Sequence, residues 1–384
     1  MSAFEFATAT RIIFGCSTAR RLPELCRELG QRVLIVTGAN PQRATPVKES
    51  LTAAGMTCET FSIPAEPTID DARRGAAFAR KMNAQVVIGF GGGSAVDAGK
   101  AIAALSQQPQ DVMNYIEVVG RGQPLDETPL PFIAMPTTAG TGAEVTRNAV
   151  LASPEHGVKA SLRHASMLPR IALVDPELAR DCPPAVTAAS GMDALTQCLE
   201  AFVSCRAQPM TDALCREGIR RAIRSLEKAV HDGSDLEARE DLALAALFSG
   251  MALANAGLGA VHGFAAPIGG QFHAPHGAVC AALLAPVWLA NWTLVNASDD
   301  DLMQDRFSDA GMLLTRNQEV RGDRIAAFLS DLTRRLDIPR LRAYDISESD
   351  LPDIAAKAAQ ASSMKGNPVT LSQETLIGIL AQAL

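Results

Sequence analysis

The sequence predicts two regions of different structural class: an α/β region with a parallel sheet over residues 1–180 and an all-helical region over residues 181–384. Three observations support this division. Short apolar runs alternate with helical periods in the first region, which is typical of βαβ units. In the second region the apolar residues recur at helical spacing. No charged residue lies between Asp241 and Asp299, which indicates that much of the second region is buried.

The predicted elements of the first region alternate in the order expected for crossovers between parallel strands. Strands are predicted at residues 10–14, 33–37, 58–63, 85–90, 131–135 and 171–174. Helices are predicted at 18–29, 48–54, 69–82 and from Ser94 to Leu105, and a hairpin is predicted at 148–153 and 158–162. The second region has predicted helices at 185–204, 208–230, 235–257, 276–296, 321–335, 347–361 and 371–382.

The composition argues against several classes of partner. The net charge of −7 disfavours nucleic acid, because phosphate binding requires a basic face. The eight cysteines are scattered singly, which is typical of a reducing compartment. No signal peptide is visible at the N-terminus, so a cytoplasmic location is expected. The apolar stretch 242–261 contains Ser249 and Asn255 and predicts a buried helix, so no membrane partner is expected.

A glycine-rich turn follows the strand at residues 85–90. Its residues are Gly91, Gly92, Gly93 and Ser94. A turn of this kind before a helix lets backbone N–H groups and the helix N-terminus bind a phosphate, although a tight turn without a ligand is the alternative. The segment after the next strand carries Thr137, Thr138 and Thr141, which predicts contacts with the nicotinamide end of a dinucleotide.

Residues 261–277 hold three of the six histidines, namely His262, His273 and His276. A single buried imidazole is most often a hydrogen-bonded core residue, and each of the three has that alternative. Several histidines in one apolar segment, two of them followed directly by glycine, favour a metal or catalytic site instead.

Several motifs stand in a defined order along the chain. They are Gly91-Gly92-Gly93-Ser94 with Asp97 and Lys100, the run from Pro136 to Thr146, the run from Gly191 to Thr196, His262-Gly263, and Pro275-His276-Gly277. This order resembles that of the iron-containing (group III) alcohol dehydrogenases over nearly the whole chain. The resemblance implies an N-terminal Rossmann-like dinucleotide-binding domain, an all-α C-terminal domain and a dehydroquinate synthase-like architecture. It also implies hydride transfer between an alcohol or aldehyde and NAD(P), with a divalent metal, iron or zinc, in the cleft between the domains.

The resemblance further implies roles for individual residues in the metal site. The matching metal ligands, which also serve catalysis, are Asp193, His262 and His276. Gln197 stands where the family has another histidine ligand, and it supplies either a weak amide ligand or a hydrogen bond to a ligand. A family histidine near the reacting alcohol is replaced here by Ala266. His273 is a candidate proton relay in its place, or else a loop residue near the cleft.

The same resemblance implies a set of cofactor contacts. They are Gly91, Gly92, Gly93, Ser94, Asp97, Thr137, Thr138, Thr141, Asn148, Lys159 and Leu178. Gly38 stands at the end of the strand 33–37, where NAD-preferring relatives often have an aspartate that repels a 2′-phosphate. Arg43 is close enough in sequence to meet that phosphate. Acceptance of NADP(H) is therefore expected.

Three rival functions remain open. A maleylacetate-reductase-like enzyme would need no metal, which suits Gln197 and Ala266, but the run between Asp241 and Asp299 offers no cation for a carboxylate substrate. A cofactor-binding protein without turnover would not require the retained aspartate and histidines. A sugar-phosphate cyclase is the third rival. The resemblance also implies a homodimer or larger assembly, with the strand around residues 12–14 as a pairing edge.

Overall fold

The computed structural model describes residues 3–272, 274–317 and 322–384. Contacts within the chain group them into two compact units. An α/β unit comprises Thr8–Thr138 and Gly142–Asp181. A helical unit comprises Cys182–Leu384, Ala139–Thr141 and the N-terminal residues up to Ala7. The predicted fold class, a parallel sheet with helices followed by a helical region, is confirmed.

A six-stranded parallel sheet forms the centre of the α/β unit. The unit contains strands β1 (Ile12–Phe14), β2 (Arg32–Thr37), β3 (Thr57–Ser62), β4 (Val86–Gly91), β5 (Phe132–Pro136), β6 (Asn148–Ser153), β7 (Val158–Arg163) and β8 (Ile171–Val174), and helices α1 (Leu22–Arg27), α2 (Thr45–Ala53), α3 (Ile69–Lys81) and α4 (Gly93–Leu105). The strand order is β1-β8-β5-β4-β2-β3, while β6 and β7 form the predicted hairpin. The inner strands β2 and β4 are buried on both faces, which explains why they read as continuous apolar runs.

The carboxyl ends of β2, β4 and β5 lie side by side at one edge of this sheet. Thr37 is in register with Phe90, and Gly91 is in register with Pro136. The turns that follow these strands are therefore neighbours. Open α/β sheets bind ligands at this edge, so it is where a dinucleotide is expected.

The helical unit contains two helices beyond the predicted set. Its helices are α5 (Pro184–Phe202), α6 (Pro209–His231), α7 (Leu236–Ala256), α8 (Ala260–Gln271), α9 (His276–Asn296), α10 (Asp301–Thr315), α11 (Asp323–Arg335), α12 (Leu351–Gln360) and α13 (Gln373–Ala383). The sequence analysis missed α8 because its glycines and Pro267 have low helix propensity, which burial of the helix overrides. It also missed α10, although Met303, Phe307 and Leu314 recur there at helical spacing. Residue 321 of the predicted helix 321–335 lies outside the described residues.

Helix α9 is long and apolar enough to cross a membrane by length and composition. However, 61% of its most apolar window is buried inside the protein. Its Trp288 ring packs against Phe307 of α10, with ring centroids 4.7 Å apart. A helix that is apolar on all sides and covered by other helices is typical of a protein core.

Candidate metal and cofactor sites

Four potential metal-binding side chains converge in the helical unit. They are Asp193 on α5, His262 on α8, and His276 and Cys280 on α9, with one donor atom from each lying within 4.8 Å of the others. The Nε2 atom of His262 is 3.2 Å from Oδ1 of Asp193, and Nε2 of His276 is 3.7 Å from the same oxygen. The structure therefore brings together the three predicted ligands, which lie far apart in the sequence.

A buried carboxylate orients the imidazole of His262. Oε2 of Glu200 on α5 is 2.5 Å from Nδ1 of His262, and Oε1 accepts a hydrogen bond of 2.7 Å from the backbone N–H of Val261. The carboxylate accepts a hydrogen bond from Nδ1 of His262, so Nδ1 carries a proton and Nε2 is the nitrogen that faces the cluster. A carboxylate behind a ligating histidine is a frequent feature of metal sites.

Gln197 contacts the cluster through its amide nitrogen. Nε2 of Gln197 donates a hydrogen bond of 3.2 Å to Oδ2 of Asp193, and Oε1 accepts one of 2.8 Å from the hydroxyl of Ser249. Of the two roles that the sequence left open for Gln197, this arrangement favours the hydrogen bond to a ligand.

The pKa of each side chain in the cluster depends on the charges of its neighbours. Burial alone would raise the pKa of Asp193, but the neighbouring His276 and His262 lower it. Burial would lower the pKa of His262, but Cys280, Glu200 and Asp193 hold it well above its ordinary value of 6.5. The pKa of His276 is raised as well, by Cys280 and by Asp193, against the effect of burial. Both imidazoles therefore retain protons to higher pH than isolated histidines when no metal is bound.

This coupling predicts pH-dependent metal binding. A metal binds only deprotonated imidazole nitrogen, so protons on His262 and His276 compete with it. Because both pKa values are raised above 6.5, acidification protonates these imidazoles before the pH reaches 6.5. The apparent affinity for Zn²⁺ is therefore expected to start falling between neutral pH and pH 6.5. Calorimetric titration with Zn²⁺ in buffers of different ionisation enthalpy measures the affinity and the protons released. An affinity that is constant from neutral pH down to pH 6.5 would contradict this.

Sequence analysis missed two members of this site, Cys280 and Glu200. Each lies on the same helix face as a predicted ligand: Cys280 follows His276 by four residues, and Glu200 follows Asp193 by seven. This spacing is present in the sequence, but it does not single out either residue. Cys280 resembles the other scattered cysteines, and carboxylates are common on helices.

Gly277 permits the close packing of α9 against α5. A Cβ atom at this position would lie 2.2 Å from the carbonyl oxygen of Ala189. We expect Gly277→Ala to destabilise the protein by roughly 1–3 kcal/mol, the usual cost of overpacking, and to lower its metal content because His276 is the adjacent residue. Thermal unfolding and metal analysis measure the two effects.

A matched control is Gly378→Ala in α13, where a Cβ atom would have no heavy atom within 4 Å. This partly exposed helical position should gain about 0.5–1 kcal/mol from the better helix propensity of alanine. If both variants had the same stability and metal content, the contact with Ala189 would not restrict the size of the side chain at position 277.

Among the described residues, the other positions of the helical unit that the sequence analysis singled out add no donor to the cluster. His273 lies outside the described residues. Ala266 is on α8, half-buried, and its methyl group offers no metal donor. Thr141 belongs to the short segment Ala139–Thr141 that groups with the helical unit.

The glycine-rich turn in the α/β unit has the close approaches expected of a phosphate cradle. Gly91 has φ of +153°, and a Cβ atom there would lie 2.7 Å from that of Ala95. A Cβ atom at Gly92, the residue before α4, would lie 3.4 Å from the side chain of Thr138. Gly93 and Ser94 form the first turn of α4, and Thr137 donates its N–H to the carbonyl of Gly91 at 2.8 Å. A side chain at Gly91 would therefore clash with the first turn of α4, and one at Gly92 would crowd Thr138.

Several predicted cofactor residues instead have partners within the unit. Oδ2 of Asp97 accepts the backbone N–H of Val150 at 3.1 Å, and Oδ1 pairs with the buried Lys100 at 3.0 Å. The ammonium of Lys100 also bonds to the carbonyl of Asn148.

Two further predicted contacts lie beside charged groups. Nζ of Lys159 pairs with Glu66 at 2.6 Å. The carbonyl of Leu178 accepts a hydrogen bond of 3.0 Å from Arg43. The described contacts therefore assign Asp97, Lys159 and Leu178 roles in holding the unit together, and their contact with a cofactor stays a prediction.

Both sites suit the groups that the sequence predicts. Imidazole, carboxylate and thiol groups are donors for divalent transition metals, and the glycine turn at the carboxyl ends of parallel strands suits a dinucleotide. Together the fold and the two sites define a metal-dependent oxidoreductase that uses a nicotinamide cofactor.

Comparison with known proteins identifies the family. Residues 9–176 match the family described as iron-containing alcohol dehydrogenase, and residues 187–384 match the C-terminal part of the Fe-containing alcohol dehydrogenase family. Long-chain-alcohol dehydrogenase 1 of Geobacillus thermodenitrificans is 36% identical over 349 residues, covering 88% of this chain and 86% of the relative. The chain belongs to the iron-containing alcohol dehydrogenase family.

Solved structures agree with this assignment. The crystal structure of a 1,3-propanediol oxidoreductase superposes with a TM-score of 0.92 at 32% identity and covers 100% of both chains. Sulfoacetaldehyde reductase from Bifidobacterium kashiwanohense, solved with NAD⁺, has a TM-score of 0.87 at 25% identity, covering 100% of this chain and 99% of that one. The chain is an NAD(P)-dependent alcohol oxidoreductase, and the rival functions are not favoured.

Proposed function

We propose that Asp193, His262 and His276 hold the divalent metal at which this enzyme activates an alcohol oxygen. The observation that carries the proposal is the distance of 3.2 Å between His262 and Asp193, together with 3.7 Å between His276 and Asp193. Ligands bound tetrahedrally at about 2.0–2.1 Å from a zinc ion lie about 3.3 Å from one another. The three side chains therefore already stand near the separations that metal coordination requires.

Each residue has a distinct task in this site. Asp193 supplies negative charge, and its side chain is only 2% exposed, so water screens that charge weakly. Glu200 holds the proton on Nδ1 of His262 and so leaves Nε2 free to bind. The side chain of His276 is 37% exposed, which makes it the member of the cluster that a small alcohol can approach. When bound, the metal supplies Lewis-acid chemistry that lowers the pKa of the alcohol, so that its carbon releases hydride to the nicotinamide more readily.

The test is metal analysis of protein purified without chelator, combined with assays on an alcohol and aldehyde panel with both cofactors. Activity should disappear on exhaustive chelation and return on addition of Zn²⁺ or Fe²⁺. Full activity in protein shown to be metal-free would refute the proposal and favour a metal-independent reductase.

The α/β unit, with a boundary near residue 180, is proposed to bind the cofactor and the helical unit to bind metal and substrate. Gly91 to Ser94 would hold the pyrophosphate, because the turn leaves β4 at the start of α4. Thr137 and Thr138 follow the neighbouring strand β5 and would face the nicotinamide half. Contacts from Thr141 and Asn148 complete the proposed set.

Cofactor preference is proposed to favour acceptance of NADP(H). Gly38 follows β2, and the guanidinium of Arg43 is exposed nearby in sequence. A Cβ atom at Gly38 would have no heavy atom within 4 Å, so an aspartate fits there without a clash. Like-charge juxtaposition costs several kcal/mol, so Gly38→Asp is expected to raise the KM for NADP⁺ relative to NAD⁺ by about tenfold or more.

The matched control is Gly38→Asn, which has the same size without the charge and should change the KM ratio much less. Initial-rate measurements with both cofactors give the comparison. A wild-type enzyme that rejects NADPH would contradict the proposed preference.

We also propose an oligomeric assembly and a cellular location for the protein. Strand β1 lies at one end of the strand order, and its free side could pair with a second copy to form a homodimer or a larger assembly. Light scattering that shows a monomer at micromolar concentration would refute this. A cytoplasmic location is proposed because the eight cysteines are scattered singly along the sequence, which is typical of proteins in a reducing compartment.

A further inference from the structure

Cys280 lies inside the proposed metal cluster. Its Sγ atom is 3.8 Å from Nε2 of His262 and 3.8 Å from Nε2 of His276. The residue is 0% exposed and follows His276 by one turn of α9. The thiol therefore faces the two nitrogens that the proposed function assigns to the metal.

Asp193, His262 and His276 offer three donors, and Gln197 does not offer a fourth. Both polar atoms of its amide are engaged, the nitrogen by Asp193 and the oxygen by Ser249. For the amide oxygen to bind a metal, the amide would have to turn over and lose both hydrogen bonds. Cys280 needs no such change, because its sulfur already lies at nearly equal distances from the two imidazoles.

We propose that the thiolate of Cys280 is the fourth protein ligand of the metal, in the place that Gln197 does not fill. This inference rests on the proposed function of Asp193, His262 and His276 as ligands. With a metal–sulfur distance of about 2.3 Å and a metal–nitrogen distance of about 2.0–2.1 Å, a tetrahedral site separates sulfur from nitrogen by about 3.6 Å. The observed separations of 3.8 Å are close to this value.

A thiolate ligand changes the chemistry of the site. On binding, the S–H bond of Cys280 breaks, the proton passes to solvent and a sulfur–metal bond forms, without a change of oxidation state. Asp193 and Cys280 then supply two negative charges, which balance a divalent ion, and the alcohol oxygen would bind as a fifth ligand. Because sulfur is a soft donor, the site should favour Zn²⁺ or Co²⁺ over harder ions such as Mn²⁺.

The test uses full-length protein loaded with Co²⁺ in place of the native metal. Cobalt in the site gives visible d–d absorption, and a sulfur ligand adds a thiolate-to-cobalt charge-transfer band in the near ultraviolet. We expect both features in the wild type, and the d–d bands alone in Cys280→Ser. Competition with a chromophoric chelator should also show Zn²⁺ affinity reduced roughly tenfold to a hundredfold in this variant, at least as much as loss of a partner behind a ligand costs.

Cys198→Ala is the matched control, because Cys198 is a fully buried cysteine on α5 that bonds to the carbonyl of Ala245. It should retain the charge-transfer band. A wild type with d–d bands but no charge-transfer band would overturn the inference and leave the metal centre intact. Absence of both features would refute the metal centre as well.

Discussion

Replacing Asp193 with asparagine is expected to remove the metal and reduce alcohol oxidation to background. Its carboxylate is 3.2 Å from His262 and 3.7 Å from His276, and the asparagine amide keeps its size but loses its charge. Loss of a partner behind a ligand costs roughly tenfold to a hundredfold in metal affinity, and loss of the anionic ligand itself should cost more. Metal stoichiometry after gel filtration and kcat with a reactive alcohol measure the effect.

Asp241→Asn is the matched control for loss of a buried carboxylate. Asp241 is 2% exposed and pairs with Arg221 and Arg224 at the junction of α6 and α7. Because the arginines are 23% and 34% exposed, loss of these charge-assisted hydrogen bonds should destabilise the protein by roughly 1.5–3 kcal/mol, yet leave the metal content unchanged. NADPH binding should survive in Asp193→Asn, because the glycine turn belongs to the α/β unit. Stoichiometric metal and normal activity in Asp193→Asn would show that this carboxylate is not a ligand.

Glu200→Gln is expected to weaken metal binding without removing any ligand. The carboxylate accepts from both Nδ1 of His262 and the N–H of Val261. An amide can face only one of these with its oxygen, so its NH₂ group either opposes the N–H of Val261 or donates to Nδ1 of His262. In the second case the proton of His262 moves to Nε2, which can then no longer bind a metal. We expect affinity to fall roughly tenfold to a hundredfold.

Asn367→Ala provides the control for this variant. The side chain of Asn367 accepts the N–H of Ala260, the first residue of α8, at 3.1 Å and bonds to Asn291. Its loss should destabilise the start of the same helix while leaving the tautomer of His262 unchanged. Chelator competition with Zn²⁺ and thermal unfolding should therefore separate the two variants. If Glu200→Gln lowers the thermal stability but leaves the Zn²⁺ affinity unchanged, Glu200 has a structural role only.

The sequence by itself determined the alternation of strands and helices in the first region, and it predicted the glycine-rich turn as a nucleotide-binding loop. The glycines after β4 and the threonines after β5 follow buried apolar runs, and that local pattern depends on residues that are neighbours along the chain. The defined order of the motifs also identified the family, and the resemblance predicted the three proposed ligands. The sequence did not predict helix α8, because its glycines and proline oppose helix formation. Burial of the segment, which depends on the rest of the fold, stabilises the helix.

Only the tertiary structure decided which side chains come together in the candidate metal cluster. Asp193 is 69 residues from His262, and the contact between them depends on how α5, α8 and α9 pack. That packing turns the amide of Gln197 toward Asp193 and selects Cys280 from eight cysteines that look alike in sequence. Helical spacing predicts which residues share a face, but which faces meet depends on close packing between segments distant in the chain.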